Sequence, residues 1–223
     1  MTAARQLGLD FGGRPIYARD HYLRAACNAA AHDWVLRWPD WPAPAIALYG
    51  PARSGKSHLA HIWAEIAGAR IVDADDLTLE SVAEYAGAPV ALERAERVAQ
   101  PRALLHLYNL QREARTHLLL LSRTAPAHWP HDLPDLTSRL QAAPAVAIDQ
   151  PDDALFGPLL VKLAADRQLS MPPEVVHYLT QRLERTFEAA ETTISAIDRA
   201  ALGGKRAVTV PLAGQVTREL RGE

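Results

Sequence analysis

The sequence predicts an open α/β sheet of parallel strands followed by a small all-helical domain, and three observations carry the prediction. Five short apolar runs, at 45–49, 70–72, 90–92, 116–122 and 145–148, alternate with stretches of helical spacing. Parallel strands joined by crossover helices produce this alternation. The first run, Ala45-Ile46-Ala47-Leu48-Tyr49, leads into a glycine-bearing loop, Gly50-Pro51-Ala52-Arg53-Ser54-Gly55-Lys56-Ser57. Behind that loop Leu59, Ile62, Trp63 and Ile66 recur at helical spacing until Gly68, a stop signal. Beyond Gln150-Pro151 only helical patterns remain.

Composition sets the outer limits. A chain of 223 residues suits one domain with a modest appendage, or two small domains. Apolar content of 48% sustains a core. A net charge of −2 argues against a protein that coats DNA electrostatically, while leaving room for a local basic patch. The single cysteine, Cys27, permits no internal disulfide and suits a reducing compartment. No apolar run approaches the roughly 18 residues of a membrane span, and the N-terminus lacks the apolar stretch of a signal peptide. The expectation is a cytoplasmic protein without a membrane partner.

Taken in order, the spacing from Asp20 to Trp38 predicts a helix, ended by Trp38-Pro39-Asp40-Trp41-Pro42-Ala43-Pro44. Trp34, Trp38 and Trp41 read as packing anchors. After the loop helix comes the strand Arg70-Ile71-Val72, then a predicted helix from Asp75 to Tyr85. Asp73, Asp75 and Asp76 at its start read as caps rather than a metal cluster. Strand Val90-Ala91-Leu92 ends at Glu93 and is followed by Arg94. Pro101 opens a helix with Leu104, Leu105, Leu107 and Tyr108 on its apolar side. The near-continuous apolar run 116–122 predicts a strand covered on both faces, ending at Ser122. Asp135–Leu140 and the last strand, 145–148, complete the first part.

In the helical part, Asp152-Asp153 caps a helix carrying Leu155, Phe156, Leu159, Leu160 and Leu163. Pro172-Pro173 begins another, to about Leu183. A third holds Phe187, Ala190, Ile194, Ile197 and Ala201 and ends at Gly203-Gly204. An extended piece, Ala207 to Val210, precedes a final helix to about Arg221.

The glycine-bearing loop fits the pattern G-x-x-x-x-G-K-[ST] without mismatch, in the strand–loop–helix context the pattern needs. Its backbone N–H groups can wrap phosphate oxygens, and the following helix N-terminus adds a favourable dipole. In such loops the lysine, here Lys56, bridges the β- and γ-phosphates, and the hydroxyl, here Ser57, reaches Mg²⁺. The nucleotide, ATP or ADP, is expected at Gly50 to His58. Glu93 stands where such ATPases carry the acidic residue that holds Mg²⁺ through water, so Ser57 and Glu93 form the expected metal-facing pair. Arg94 occupies the place of a second carboxylate. A cation cannot act as a general base on water, so intrinsic hydrolysis is expected to be slow or absent. Ser122 reads equally as a sensor of the γ-phosphate or as a capping hydroxyl. At the N-terminus, Gln6-Leu7-Gly8-Leu9-Asp10-Phe11 followed by Gly12-Gly13 reads as an edge strand or tail, or as a linear docking peptide. In the docking reading Gln6 hydrogen-bonds a partner while Leu7, Leu9 and Phe11 fill pockets.

Together, the phosphate loop, the degenerate acidic strand end, Ser122, an arginine after a polar helix and a helical lid resemble the AAA+ ATPases. More narrowly, Gly-Lys-Ser-His-Leu (55–59), Leu-Leu-His-Leu-Tyr-Asn (104–109), Leu-Thr-Ser-Arg-Leu (136–140) and Leu-Glu-Arg (183–185) resemble the bacterial initiator DnaA clade. The likeness runs from about residue 15 onward. It leaves no room for the initiator's oligomerisation domain or its DNA-reading helix-turn-helix, which points to the initiator-inactivating homologues. The N-terminal peptide is similar to those by which replication proteins bind the sliding clamp, the β subunit of DNA polymerase III.

The resemblance implies an AAA+ P-loop fold with a parallel five-stranded sheet. It divides the chain into a clamp-binding tail (1–14), a nucleotide-binding base (15–150) and a helical lid (151–223). It implies that Arg139 is an arginine finger acting in trans on ATP held by DnaA, and that Arg185 is the sensor-2 arginine touching the protein's own nucleotide. Glu93 takes the Walker B position and Ser122 the sensor 1 position. Ile16 to Asp20 is the segment placed by position against the adenine. An AAA+ module also suggests a homo-oligomer, a nucleotide-bound monomer or dimer being the other states open to it, with DNA contact only indirect through the clamp. The alternatives are a DnaA-like helicase loader or DNA-remodelling ATPase, which needs a basic surface and an intact hydrolytic pair, and a self-sufficient small P-loop kinase or ATPase.

Overall fold

The structure is a computed structural model and describes residues 17–130, 132–204 and 207–222. The tail with Gln6, Leu7, Leu9 and Phe11 lies outside the described residues. Two compact units are present, 17–150 and 151–222.

The first unit is built on five parallel strands: β1 (Ala45–Tyr49), β2 (Arg70–Asp73), β3 (Val90–Glu93), β4 (Leu118–Ser122) and β5 (Ala145–Ala147). Their order across the sheet is β2-β3-β4-β1-β5. Both faces are covered, which explains why the central strands read as unbroken apolar runs. Alternate residues go to opposite faces. Ala45, Ala47, Val90, Leu92, Leu118 and Leu120 face one core with Leu104 and Leu107 of α3 (Pro101–Glu113) and Leu136 and Leu140 of α4 (Pro134–Ala142). Ile46, Leu48, Ala91, Leu119 and Leu121 face the other, with Val35 of α1 (Ala29–Leu36) and Leu59, Ile62 and Trp63 of α2 (Lys56–Ala67). The tryptophans are packing anchors: Trp41 stacks on Trp63 at 5.1 Å and its Nε1 donates to the Trp34 carbonyl.

Two predicted helices are much shorter than their spacing suggests. Only Ala29–Leu36 of the stretch 20–38 is α-helical, after a three-residue 3-10 turn at Arg19–His21. The Asn28 side chain accepts from the Ala25 N–H and donates to the Leu23 carbonyl, which diverts the backbone groups a helix would pair. The stretch 75–85 forms only two 3-10 turns, Ala74–Asp76 and Val82–Tyr85. Between them Ser81 and Thr78 exchange side-chain to backbone hydrogen bonds, again in competition with a helix.

The second unit is all-helical: α5 (Asp153–Ala165), α6 (Pro173–Thr180), α7 (Phe187–Gly204) and α8 (Val210–Arg221). Phe156, Leu160, Val175, Leu179, Ile194, Ile197 and Val216 are among its buried core. Asp152 caps α5 through the Leu155 N–H, and Thr209 caps α8 through the Leu212 N–H. Among the described residues, no helix is long and apolar enough to cross a membrane.

Candidate nucleotide site and its relatives

Parallel pairing brings the C-terminal ends of four strands into one row. Asp73 pairs with Glu93 across β2 and β3, and Tyr49 with Ser122 across β1 and β4. The loop Gly50–Gly55 leaves β1 at this edge and enters α2. Ligands of open α/β sheets bind at this carboxyl edge. Gly50 sits at φ 156°, and a Cβ there would stand 2.3 Å from the Ile148 carbonyl oxygen. Only glycine fits, because the loop passes directly over the end of the β5 segment. Gly55, at φ 89°, begins α2 and offers no side-chain oxygen to its first turn. The N–H groups of that turn are thereby left to an anion.

Lys56 folds over the loop, its Nζ donating to the Gly50 and Pro51 carbonyls at 2.8 and 2.7 Å and to Ser54 Oγ at 3.1 Å. Burial lowers its pKa to about 8, against the pull of the nearby carboxylates of Glu93 and Glu96. Ser54 is buried, while Pro51 and Ala52 are half-buried and Arg53 is exposed at the loop tip. Arg53 holds a left-handed φ of 64°.

Burial raises the Glu93 carboxyl pKa, and the nearby Ser57 hydroxyl and the charges of His61 and Lys56 pull it back. A hydroxyl and a carboxylate converging beside the phosphate loop make the oxygen donor set that Mg²⁺ takes. The cradle, the lysine and this oxygen pair fit a magnesium-bound nucleoside phosphate.

Residues 17–20 lie against α2. His58 Nε2 donates to the Ala18 carbonyl at 2.9 Å, and Tyr17 stacks on His61 at 3.7 Å. Tyr22 meets His58 edge-on at 5.3 Å. Ser122 is buried and its Oγ donates to the Thr124 carbonyl at 2.7 Å, a turn-capping bond at the end of β4.

Arg94 is held at the β2 end of this edge. Its guanidinium bonds Asp73 and, at 2.7 Å, Asp75, and it holds the Asp73 carboxyl below its ordinary range. Asp73 also caps the Ala74–Asp76 turn through the Asp75 N–H. Among the described residues no cluster of metal-ligating side chains is found.

Arg139 lies within α4, half-buried, with its guanidinium over the Tyr108 ring. Arg185 lies in the turn before α7, where its Nε donates to Asp153 at 2.6 Å and its guanidinium covers Phe156 at 5.0 Å. One residue at the nucleotide edge was given no role from sequence. Glu96, in the turn Ala95–Arg97, accepts from the Arg123 N–H, and only the sheet order brings β4 beside it.

Comparison with known proteins bears on the helical unit first. A family model described as Hda, lid domain, matches residues 157–216. Residues 157–216 are thus similar to an Hda lid domain. The solved structures then bear on the fold that accompanies this lid. Domain III of the Thermotoga maritima replication initiation protein DnaA superposes with a TM-score of 0.80 at 14% identity, over 92% of this chain and 97% of that one. DnaA from Aquifex aeolicus bound to AMPPCP superposes at 0.67 and 18% identity, over 87% of this chain and 69% of that one. The Thermotoga maritima RuvB Holliday junction branch migration motor reaches 0.62 at 15% identity, over 87% and 66%. At these identities the likeness shows the fold. A helical unit similar to an Hda lid thus follows a base with a parallel five-stranded sheet and the fold of DnaA domain III, and a P-loop fold of this kind implies binding of ATP or ADP with Mg²⁺.

Proposed function

We propose that the protein is a clamp-tethered AAA+ regulator that stimulates hydrolysis of ATP bound to the DnaA initiator, leaving DnaA in its inactive ADP form and preventing re-initiation. The observation that carries this reading is an Hda lid over 157–216 behind a DnaA-like base. A fold shared with the target is what a protein needs to dock as a neighbouring AAA+ subunit would. In this reading nucleotide at Gly50–His58, with Mg²⁺ at Ser57 and Glu93, orders the base, and Arg185 ties the lid to nucleotide state. The peptide Gln6, Leu7, Leu9 and Phe11 holds the protein on the sliding clamp in the cytoplasm. Tethering raises the effective concentration at DnaA, so the catalytic contact itself can be weak.

Arg139 supplies positive charge to the phosphoryl transferred in the DnaA site. An arginine given in trans is worth about 10³–10⁵ in rate in GTPase systems. Arg139 fits this task because among the described residues it forms no ion pair, and its guanidinium lies over an aromatic ring. The test is single-turnover hydrolysis of ATP pre-bound to DnaA with DNA-loaded clamp. Acceleration by the intact protein, lost with Arg139→Ala and lost without clamp, is the expected result. No effect of the intact protein would sink the reading in favour of a helicase loader or remodelling ATPase.

A further inference from the structure

The place where P-loop ATPases carry the hydrolytic carboxylate holds Arg94, whose side chain is committed to Asp73 and Asp75. Arg94 also has a left-handed backbone, φ 56°, which bends the chain directly after Glu93 into the short 3-10 turn Ala95–Arg97. That bend carries Glu96 back to the carboxyl edge of the sheet. There Glu96 Oε1 accepts the Arg123 N–H at 3.1 Å, next to Ser122 at the end of β4. Its Oε2 is buried and has no hydrogen-bond partner among the described residues. The charges of Glu96, Glu93 and Arg123 all act on Lys56, which places Glu96 within electrostatic reach of the phosphate loop.

A capping role for the Arg123 N–H uses one oxygen, and a glutamine would supply it as well. The second oxygen is desolvated and unspent. A buried carboxylate oxygen without a donor is costly unless a water or ligand group meets it. We propose that Glu96 is the general base for hydrolysis of this chain's own bound ATP, in place of the residue that Arg94 has displaced. Oε2 takes a proton from water as the water oxygen bonds the terminal phosphorus, and the bridging oxygen leaves with ADP. Inorganic phosphate and ADP are the products. The slow turnover expected from Arg94 thereby gains a specific residue.

This rests on magnesium–nucleotide binding at the loop but not on DnaA or the clamp, so it can fail while the trans-acting role stands. The experiment uses the full chain and its Glu96→Gln variant, loaded with magnesium–ATP. It reads single-turnover conversion to ADP, melting temperature, and affinity for magnesium–ADP with and without aluminium fluoride, which mimics the transferred phosphoryl. Glu96→Gln keeps the acceptor for Arg123, so melting temperature should hold and magnesium–ADP should bind within about twofold. Hydrolysis should fall by about 10²-fold, the scale of a lost general base, and the extra affinity given by aluminium fluoride should disappear. A variant that hydrolyses and takes up aluminium fluoride like the wild type overturns the assignment. So does a wild type showing neither hydrolysis nor tighter binding with aluminium fluoride. A variant that loses magnesium–ADP affinity or melts earlier makes Glu96 a structural support instead.

Discussion

The guanidinium of Arg139 lies over the ring of Tyr108, 5.4 Å from its centroid, joining α4 to α3 by a cation–π contact. Its Nε is buried without a hydrogen-bond partner among the described residues. A partly exposed contact of this kind is worth only about 0.5–1 kcal/mol, so the side chain can leave the ring for a neighbour's phosphate at small cost. Arg139→Ala should therefore change folding stability by less than about 1 kcal/mol in urea titration, because the lost contact is offset by removing an unsatisfied donor. In the trans assay with DnaA–ATP the same variant should lose about 10³-fold or more of the stimulation. Large destabilisation with unchanged stimulation would make Arg139 a packing residue.

Gly50 has no room for a methyl group. Gly50→Ala would press Cβ against the Ile148 carbonyl, a backbone atom that cannot rotate away. The expected cost is about 2–4 kcal/mol in denaturant titration, together with loss of nucleotide binding as the loop shifts. Gly68→Ala, where nothing stands within 4 Å, should cost only the strain of its φ of 63°.

Nucleotide affinity should weaken on the alkaline side. Lys56 has a folded pKa of about 8, depressed from its ordinary value by burial, and a bound phosphate favours its charged form. As pH rises through 8 the free protein loses the Lys56 proton, and binding must restore it. Affinity for magnesium–ADP should fall about tenfold between pH 7 and pH 9. The sign for stability is opposite: between the folded and unfolded pKa the unfolded chain binds more protons, so this group makes the free protein more stable as pH rises. Titration of ADP across this range checks the first, and urea unfolding without nucleotide the second.

Ser57→Ala and Glu93→Gln each remove one of the two oxygen-bearing side chains proposed to face the ion beside the loop. Both should bind ADP in chelator nearly as the wild type does, yet lose most of the gain that magnesium confers. Equal magnesium dependence in wild type and both variants would place the ion elsewhere.

The tail gives the last test. Replacing Gln6, Leu7 and Leu9 together by Ala should abolish binding to the sliding clamp in a pull-down with purified clamp. Nucleotide affinity should stay unchanged, since those residues lie outside the loop.

Much of this was legible in local sequence. Unbroken apolar strands, the spacing of Gly50, Gly55, Lys56 and Ser57, and the cap Asp152 are short-range features whose physics acts within a few residues. They specify a doubly covered parallel sheet, a phosphate loop and a helical second unit. The helices misread at 20–28 and 75–85 failed for a local reason too, since Asn28, Thr78 and Ser81 spend side-chain groups on the backbone, and apolar spacing does not register that competition. What only the tertiary structure decided are relations between distant strands. The sheet order sets Arg123 of β4's edge against Glu96 of β3's, draws Arg94 to Asp73 across β2, and lays Arg139 on Tyr108. Charge and hydrogen-bond partnership depend on distance in space, and residues such as Glu96 and Arg123, 27 apart in the chain, become neighbours only when the strands pair.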